Sequence, residues 1–146
     1  MHVIRSLEQE NAAMVGRAVC VLLLTAEGEA GIMGRRLAGL GTRVDVVDEL
    51  FSALSDLIDD PAGYGLFVVD CDSANVGGLE AAQRAMKMLG EVAQRVPVIL
   101  VSSECRDQRF PQDRAMPVVL RAPMSAVSLK VGFEHALRER LLYQAA

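Results

Sequence analysis

Apolar residues along this chain fall into two kinds of run that alternate. Short unbroken runs come first, at Val19-Cys20-Val21-Leu22-Leu23-Leu24, then Leu66-Phe67-Val68-Val69, then Val98-Ile99-Leu100-Val101. A continuous apolar run of this length suits a strand buried on both faces, as in the middle of a parallel sheet. Between these runs apolar residues recur every three or four positions: Ile32, Met33, Leu37 and Leu40; Leu50, Phe51, Leu54, Leu57 and Ile58; Leu79, Ala82, Ala85, Met86, Leu89 and Val92; Leu129, Phe133, Leu137 and Leu141. Each such stripe predicts an amphipathic helix. Arg43 to Val47 is half apolar and predicts a strand nearer an edge, and Pro117 to Leu120 predicts a fifth strand. Gly41 stops the first helix and the Asp59-Asp60-Pro61-Ala62-Gly63 stretch stops the second. Asp48 and Ser125 stand where the second and last helices would take a capping side chain.

Strand and helix in strict alternation mean a parallel sheet with helices on both faces. One unit breaks the rhythm. Between Ser103 and Met116 the sequence is polar and is interrupted by Pro111. At most one helical turn fits before that proline, so the helix between the fourth and fifth strands is expected to be shortened or missing. Residues 1–16 read as an N-terminal extension, with Ser6 and Gln9 placed as a capping box. That extension is either a frayed or packed segment or a short helix that pairs two protomers. The domain itself is expected over residues 17–146.

Composition narrows the class. The chain has 146 residues, 51% of them hydrophobic and 23% charged, enough to bury one core. A net charge of −4 argues against direct nucleic-acid binding, which needs a basic face. No apolar run reaches the length of a membrane span, and the acids Glu8 and Glu10 ahead of Val19 oppose a signal peptide. Cys20, Cys71 and Cys105 are an odd number at wide spacing, which fits free thiols rather than zinc ligands or a disulfide framework. A soluble, cytoplasmic protein is expected.

The candidate chemistry sits where the third strand ends. The run Leu66 to Val69 closes on Asp70, followed by Cys71-Asp72-Ser73-Ala74-Asn75-Val76 and the pair Gly77-Gly78, before the next helix opens. In open α/β sheets the working crevice lies outside the carboxyl ends of the strands.

From Arg17 to Tyr143 the chain resembles the receiver domain of two-component response regulators, the flavodoxin-like, CheY-like fold. Asp70 with Gly78 eight residues later resembles the family's phosphoacceptor and the glycine that opens its third helix. Ser102, ending the fourth strand, matches the switch Ser/Thr, and Pro123 matches the proline of the Lys-Pro pair. The resemblance implies a five-stranded parallel sheet, no enzyme activity in the ordinary sense, and a sensor kinase or downstream regulator as partner.

The departures are as informative as the matches. Where the family places two magnesium-binding acids, this chain reads Thr25-Ala26, with Glu27 one residue late. Ala122 replaces the phosphoryl-pairing Lys, and the switch aromatic falls on aliphatic residues around Val119. Phosphoryl transfer depends on positioning and charge neutralisation, and magnesium is held by a few carboxylates with waters and phosphate. No cofactor is expected, and magnesium only weakly, through Asp70 and Glu27 if at all. Asp72, two residues after the acceptor, need not point inward. Arg121 reaches Asp70 only through a bulge; alternation sends it outward instead. A pseudo-receiver acting as a protein-interaction module is therefore expected. The alternative is a working single-domain response regulator phosphorylated on Asp70.

A remote alternative is a Rossmann-like nucleotide site, from Gly28, Gly31 and Gly34 with Asp48 twenty residues after Gly28. The spacing departs from G-x-G-x-x-G, and Glu27 and Glu29 would repel phosphates. His2 and His135 build no hydrolase constellation, and His135 is expected at the surface of the last helix. Association is expected at the fifth strand and last helix, a possible homodimer contact, and at the segment 104–116. Within that segment Phe110 is either a contact residue or a loop aromatic tucked onto the core.

Overall fold

The structure, a computed structural model, describes residues 19–138. The Ser6–Gln9 capping box, His2 and Leu141 lie outside the described residues. The element order is β1 (Cys20–Leu24), α1 (Ile32–Gly39), β2 (Arg43–Val47), α2 (Leu50–Asp59), β3 (Leu66–Asp70) and α3 (Leu79–Met86). The one-turn helix α4 (Val92–Arg95), β4 (Val98–Ser102), β5 (Val118–Arg121) and α5 (Ala126–Ala136) complete it. The strands form one parallel sheet in the order β2-β1-β3-β4-β5, the flavodoxin-like arrangement expected.

Alternation along each strand sends side chains into two apolar layers. Val21, Leu23, Val68, Ile99, Val101 and Leu120 meet α1 and α5 through Met33, Leu37, Leu129 and Phe133. Leu22, Leu24, Phe67, Val69 and Leu100 meet α2 and α3 through Leu54, Leu57, Ala82 and Met86. Both faces are covered, which is why the central strands read as unbroken apolar runs. At the α5 contact Gly132 leaves no slack: a Cβ there would lie 3.1 Å from Leu120 Cδ1.

Several details differ from the sequence pattern. The cap of α2 is Glu49, not Asp48; its carboxylate accepts from the Phe51 and Ser52 amides at 2.9 and 2.7 Å. Asp48 instead offers its carbonyl to Asn75 Nδ2 at 2.8 Å. The apolar stripe of α2 is narrower than its sequence suggests, because Ala53, Leu54 and Leu57 meet the sheet while Phe51 (62% exposed) and Ile58 (50%) do not. The third helical run is also broken. It passes into a 3-10 turn, Lys87–Leu89, and ends at Gly90, whose φ of +57° no helix accommodates. Ser125 does cap α5, accepting from Ser128 N at 3.0 Å.

Between β4 and β5 there is no helix. The chain runs instead as a strap along the outer side of β5. Arg109 and Val119 exchange both backbone hydrogen bonds, at 2.9 and 3.0 Å. Phe110, half-buried, packs on the core beneath α5. Its ring meets His135 edge to face at 5.7 Å, and His135 Nε2 is hydrogen-bonded with the Pro111 carbonyl at 2.7 Å. His135 is therefore half-buried and structural rather than a plain surface residue. Phe110 follows the tucked-in reading.

Candidate functional site

The winding of the sheet reverses between β1 and β3, so the crevice opens at the carboxyl ends of these two strands. Asp70 ends β3 there, partly exposed. Thr25 follows β1 and is buried, tied into the sheet by its amide on the Val47 carbonyl at 3.0 Å. Its hydroxyl donates to Asp70 Oδ2 at 2.9 Å and accepts from Glu27 N at 3.2 Å. Ser73, in the loop after β3, donates to the same Oδ2 at 3.0 Å and accepts from Ala26 N at 3.0 Å. One carboxylate oxygen thus collects two hydroxyls. The amides of Ala26 and Glu27 close the ring, joining the ends of β1 and β3. Hydrogen bonds to an ionised acceptor are the stronger kind.

A second ring lies beside the first. Asp72 is exposed, and its carboxylate turns to the end of β4. It accepts from the Ser103 amide at 3.1 and 3.0 Å, from the Ser103 hydroxyl at 3.1 Å and from Ser102 Oγ at 3.4 Å. Ser102 is fully buried, and its hydroxyl accepts from Glu104 N at 3.0 Å. Ser102, expected from the resemblance to serve as a switch beside Asp70, is thus bonded to Asp72 rather than to Asp70. Glu104 Oε1 reaches across to the Leu79 amide at 3.3 Å, at the opening of α3. Gly78 holds φ +99° there, and a Cβ on it would meet Glu104 Oε1 at 2.6 Å. This backbone region is nearly closed to other residues.

The remaining candidates spread out. Glu27 is exposed, and its side chain folds back over Gly31 at the start of α1: a Cβ on Gly31 would lie 2.8 Å from Glu27 Oε2. Gly34 faces the carbonyl of Glu29 at 2.8 Å from its Cβ position, so these glycines serve the turn into α1. Ala122 is half-buried, gives its amide to the Ser102 carbonyl at 3.0 Å, and is joined to Pro123 by a cis peptide. Arg121 is exposed and points along the strap, its Nε donating to the Cys105 carbonyl at 3.1 Å. Cys71, buried behind Asp70, has its thiol pushed up to about 12, mainly by burial. Among the described residues, no three His, Cys, Asp or Glu side chains come together to hold a metal ion.

Sequence reasoning found Asp70, Thr25 and Ser102 but not their connections. Ser73, Ser103 and Glu104 were missed as site residues. The only sequence signal for them is a hydroxyl three residues after Asp70 and a Ser-Ser-Glu run closing the fourth strand.

No protein-family model and no curated protein matches the sequence. Solved structures do match. One is the receiver domain of a sensor histidine kinase from Pseudomonas aeruginosa with magnesium coordinated in its active-site cleft. It has TM-score 0.61 and 18% identity, over 82% of this chain and 97% of that one. Another is the signal receiver domain of a Luxo repressor protein from Vibrio parahaemolyticus, with TM-score 0.59 and 14% identity, over 87% and 96%. A pilus assembly-related protein from Burkholderia pseudomallei matches with TM-score 0.57 and 18% identity, over 83% and 90%. The chain has the fold of the response-regulator receiver domain.

Proposed function

We propose that this chain is a pseudo-receiver, a protein-interaction module of two-component-type signalling or transcriptional control that works without magnesium-dependent phosphorylation of Asp70. The observation that carries the reading is the pair of hydroxyls, from Thr25 and Ser73, on Asp70 Oδ2.

Magnesium demands near-octahedral oxygen ligands and is bound through carboxylates plus waters and phosphate. The Pseudomonas receiver coordinates that ion in its cleft. In this chain the corresponding crevice offers one carboxylate, already engaged on one oxygen, beside a buried Thr and the side chain of Ala26. Glu27 is turned to Gly31, and Asp72 to Ser103. These residues do not fit a magnesium site. An incoming phosphoryl group would also meet Ala122 where a cation would be needed, since transferred phosphoryl charge requires neutralisation. Asp70 is then a tie between two strand ends, and Ser102 belongs to the Asp72 clasp.

A protein partner, a sensor kinase or a downstream regulator, would find its contact on α5, where Val127 (71% exposed) and Val131 (47%) lie one turn apart. The strap already takes the outward bonds of β5, so contact on this side would use side chains rather than added strands. The three free cysteines suit a reducing, cytoplasmic setting.

The test is thermal unfolding with magnesium and beryllofluoride, a phosphoryl mimic. The midpoint is expected to stay unchanged. A stabilisation that disappears in Asp70→Asn would establish the other reading, a working response regulator.

A further inference from the structure

An open five-stranded sheet has two edges, and an unpaired edge is a template for another strand. The two edges of this sheet differ. At β5 the outward groups are used: Val119 exchanges both bonds with Arg109, and the Arg121 amide donates to Gln108 Oε1 at 3.2 Å. At β2 the alternation of a parallel strand commits Arg43, Asp45 and Val47 to β1, as the bonds Arg43 N to Val19 O (3.1 Å) and Thr25 N to Val47 O (3.0 Å) show. The N–H and C=O of Val44 and Val46 therefore face outward. Among the described residues nothing pairs with them. Their side chains pack on the core, so the edge is held in strand form. No proline, lysine or bulge blunts it.

We infer that two copies of this chain join through their β2 edges, antiparallel, with Val44 opposite the partner's Val44. The charges on the strand select that register. Arg43 and Asp45 project from the same face of β2, 3.9 Å apart and solvent-accessible. With Val44 at the two-fold axis, each Arg43 stands opposite the partner's Asp45, giving two attractive cross-strand pairs. Centring one residue later sets Asp45 against the partner's Asp45, and like charges directly opposite are destabilising. Centring on Val46 sets Arg43 against the partner's Glu49, whose carboxylate is already bound to the Phe51 and Ser52 amides. Asp45 lies beside its own chain's Arg43, as an ion pair, and near the Tyr64 hydroxyl. The Tyr64 hydroxyl is held above its ordinary range first by burial and then by Asp45 and Asp56, so the partner's Arg43 enters an acidic neighbourhood. A symmetric two-fold contact of this kind closes on itself. With β5 sealed, it stops at a dimer.

Sedimentation velocity of the full chain over a concentration series tests this, with amide hydrogen exchange on the same samples. The wild type is expected to dimerise, with protection of the Val44 and Val46 amides rising with concentration. Arg43→Asp turns both attractive pairs repulsive and is expected to weaken association by roughly tenfold. The swap R43D/D45R restores it. Val44→Pro, which removes an outward N–H that no described residue uses, abolishes it while circular dichroism stays native. A monomer at every concentration overturns the inference. So does protection of Val44 that is independent of concentration, or a dimer indifferent to Arg43→Asp and Val44→Pro.

Discussion

Thr25→Val separates a structural Asp70 from a reactive one. Valine nearly copies the shape of threonine, so the buried site keeps its packing while losing one hydroxyl. Two hydrogen bonds go with it: the donation to Asp70 Oδ2 at 2.9 Å and the acceptance from Glu27 N at 3.2 Å. The first, to a charged group, contributes about 1.5–3 kcal/mol. The second is offset in part by water, since Glu27 is exposed. The added methyl returns roughly 0.8 kcal/mol of burial. The net expectation is a loss of about 2 kcal/mol, or roughly 8 °C in the midpoint for a domain of this size. Urea unfolding should show a lower midpoint at unchanged m-value. A double-mutant cycle with Asp70→Ala should give a coupling of at least ~1 kcal/mol. Wild-type stability in Thr25→Val, or additivity of the two changes, would refute the tie.

Phe110→Ala removes a half-buried ring from the core and from His135; a loss of about 2 kcal/mol in denaturant unfolding is expected, with association unchanged. Gly78→Ala forces a side chain into φ +99° and against Glu104; a loss of about 1–3 kcal/mol is expected in the same assay. The Glu49 carboxyl is held below its usual range by the Phe51 and Ser52 amides. Its contribution is therefore present above the unfolded-state value and lost as pH falls through the lower folded-state value. Stability measured against pH should show Glu49→Gln losing its difference from wild type in acid. Cys71, with its thiol pushed up to about 12 and buried, should resist alkylation at neutral pH until the chain unfolds, as mass spectrometry can follow.

The fold was legible because its strands are buried on both faces and its helices carry one apolar stripe each. β2 and β3 fall on the expected residues, and the polar, proline-broken stretch before Met116 does replace a helix. What stayed hidden depended on long-range contacts. Phe51 reads as core by spacing, yet the ten-residue helix buries Ala53, Leu54 and Leu57 against the sheet, with Leu50 half-buried beside them, and leaves Phe51 outside. The strap's course along β5 follows from the Arg109–Val119 pairing, which no local pattern encodes. At the site, Thr25 reads as a missing acid. Only the fold shows that its hydroxyl, 45 residues from Asp70 in sequence, and that of Ser73 converge on one oxygen of Asp70. Asp72 gave no signal of its clasp, because a loop carboxylate next to small residues is compatible with either ring.

Intact-mass analysis of the full chain after incubation with acetyl phosphate and magnesium, with Asp70→Asn alongside, tests the central claim most directly. An unchanged mass in both proteins is the expected result. A phosphoryl adduct present in the wild type and absent from Asp70→Asn would contradict it.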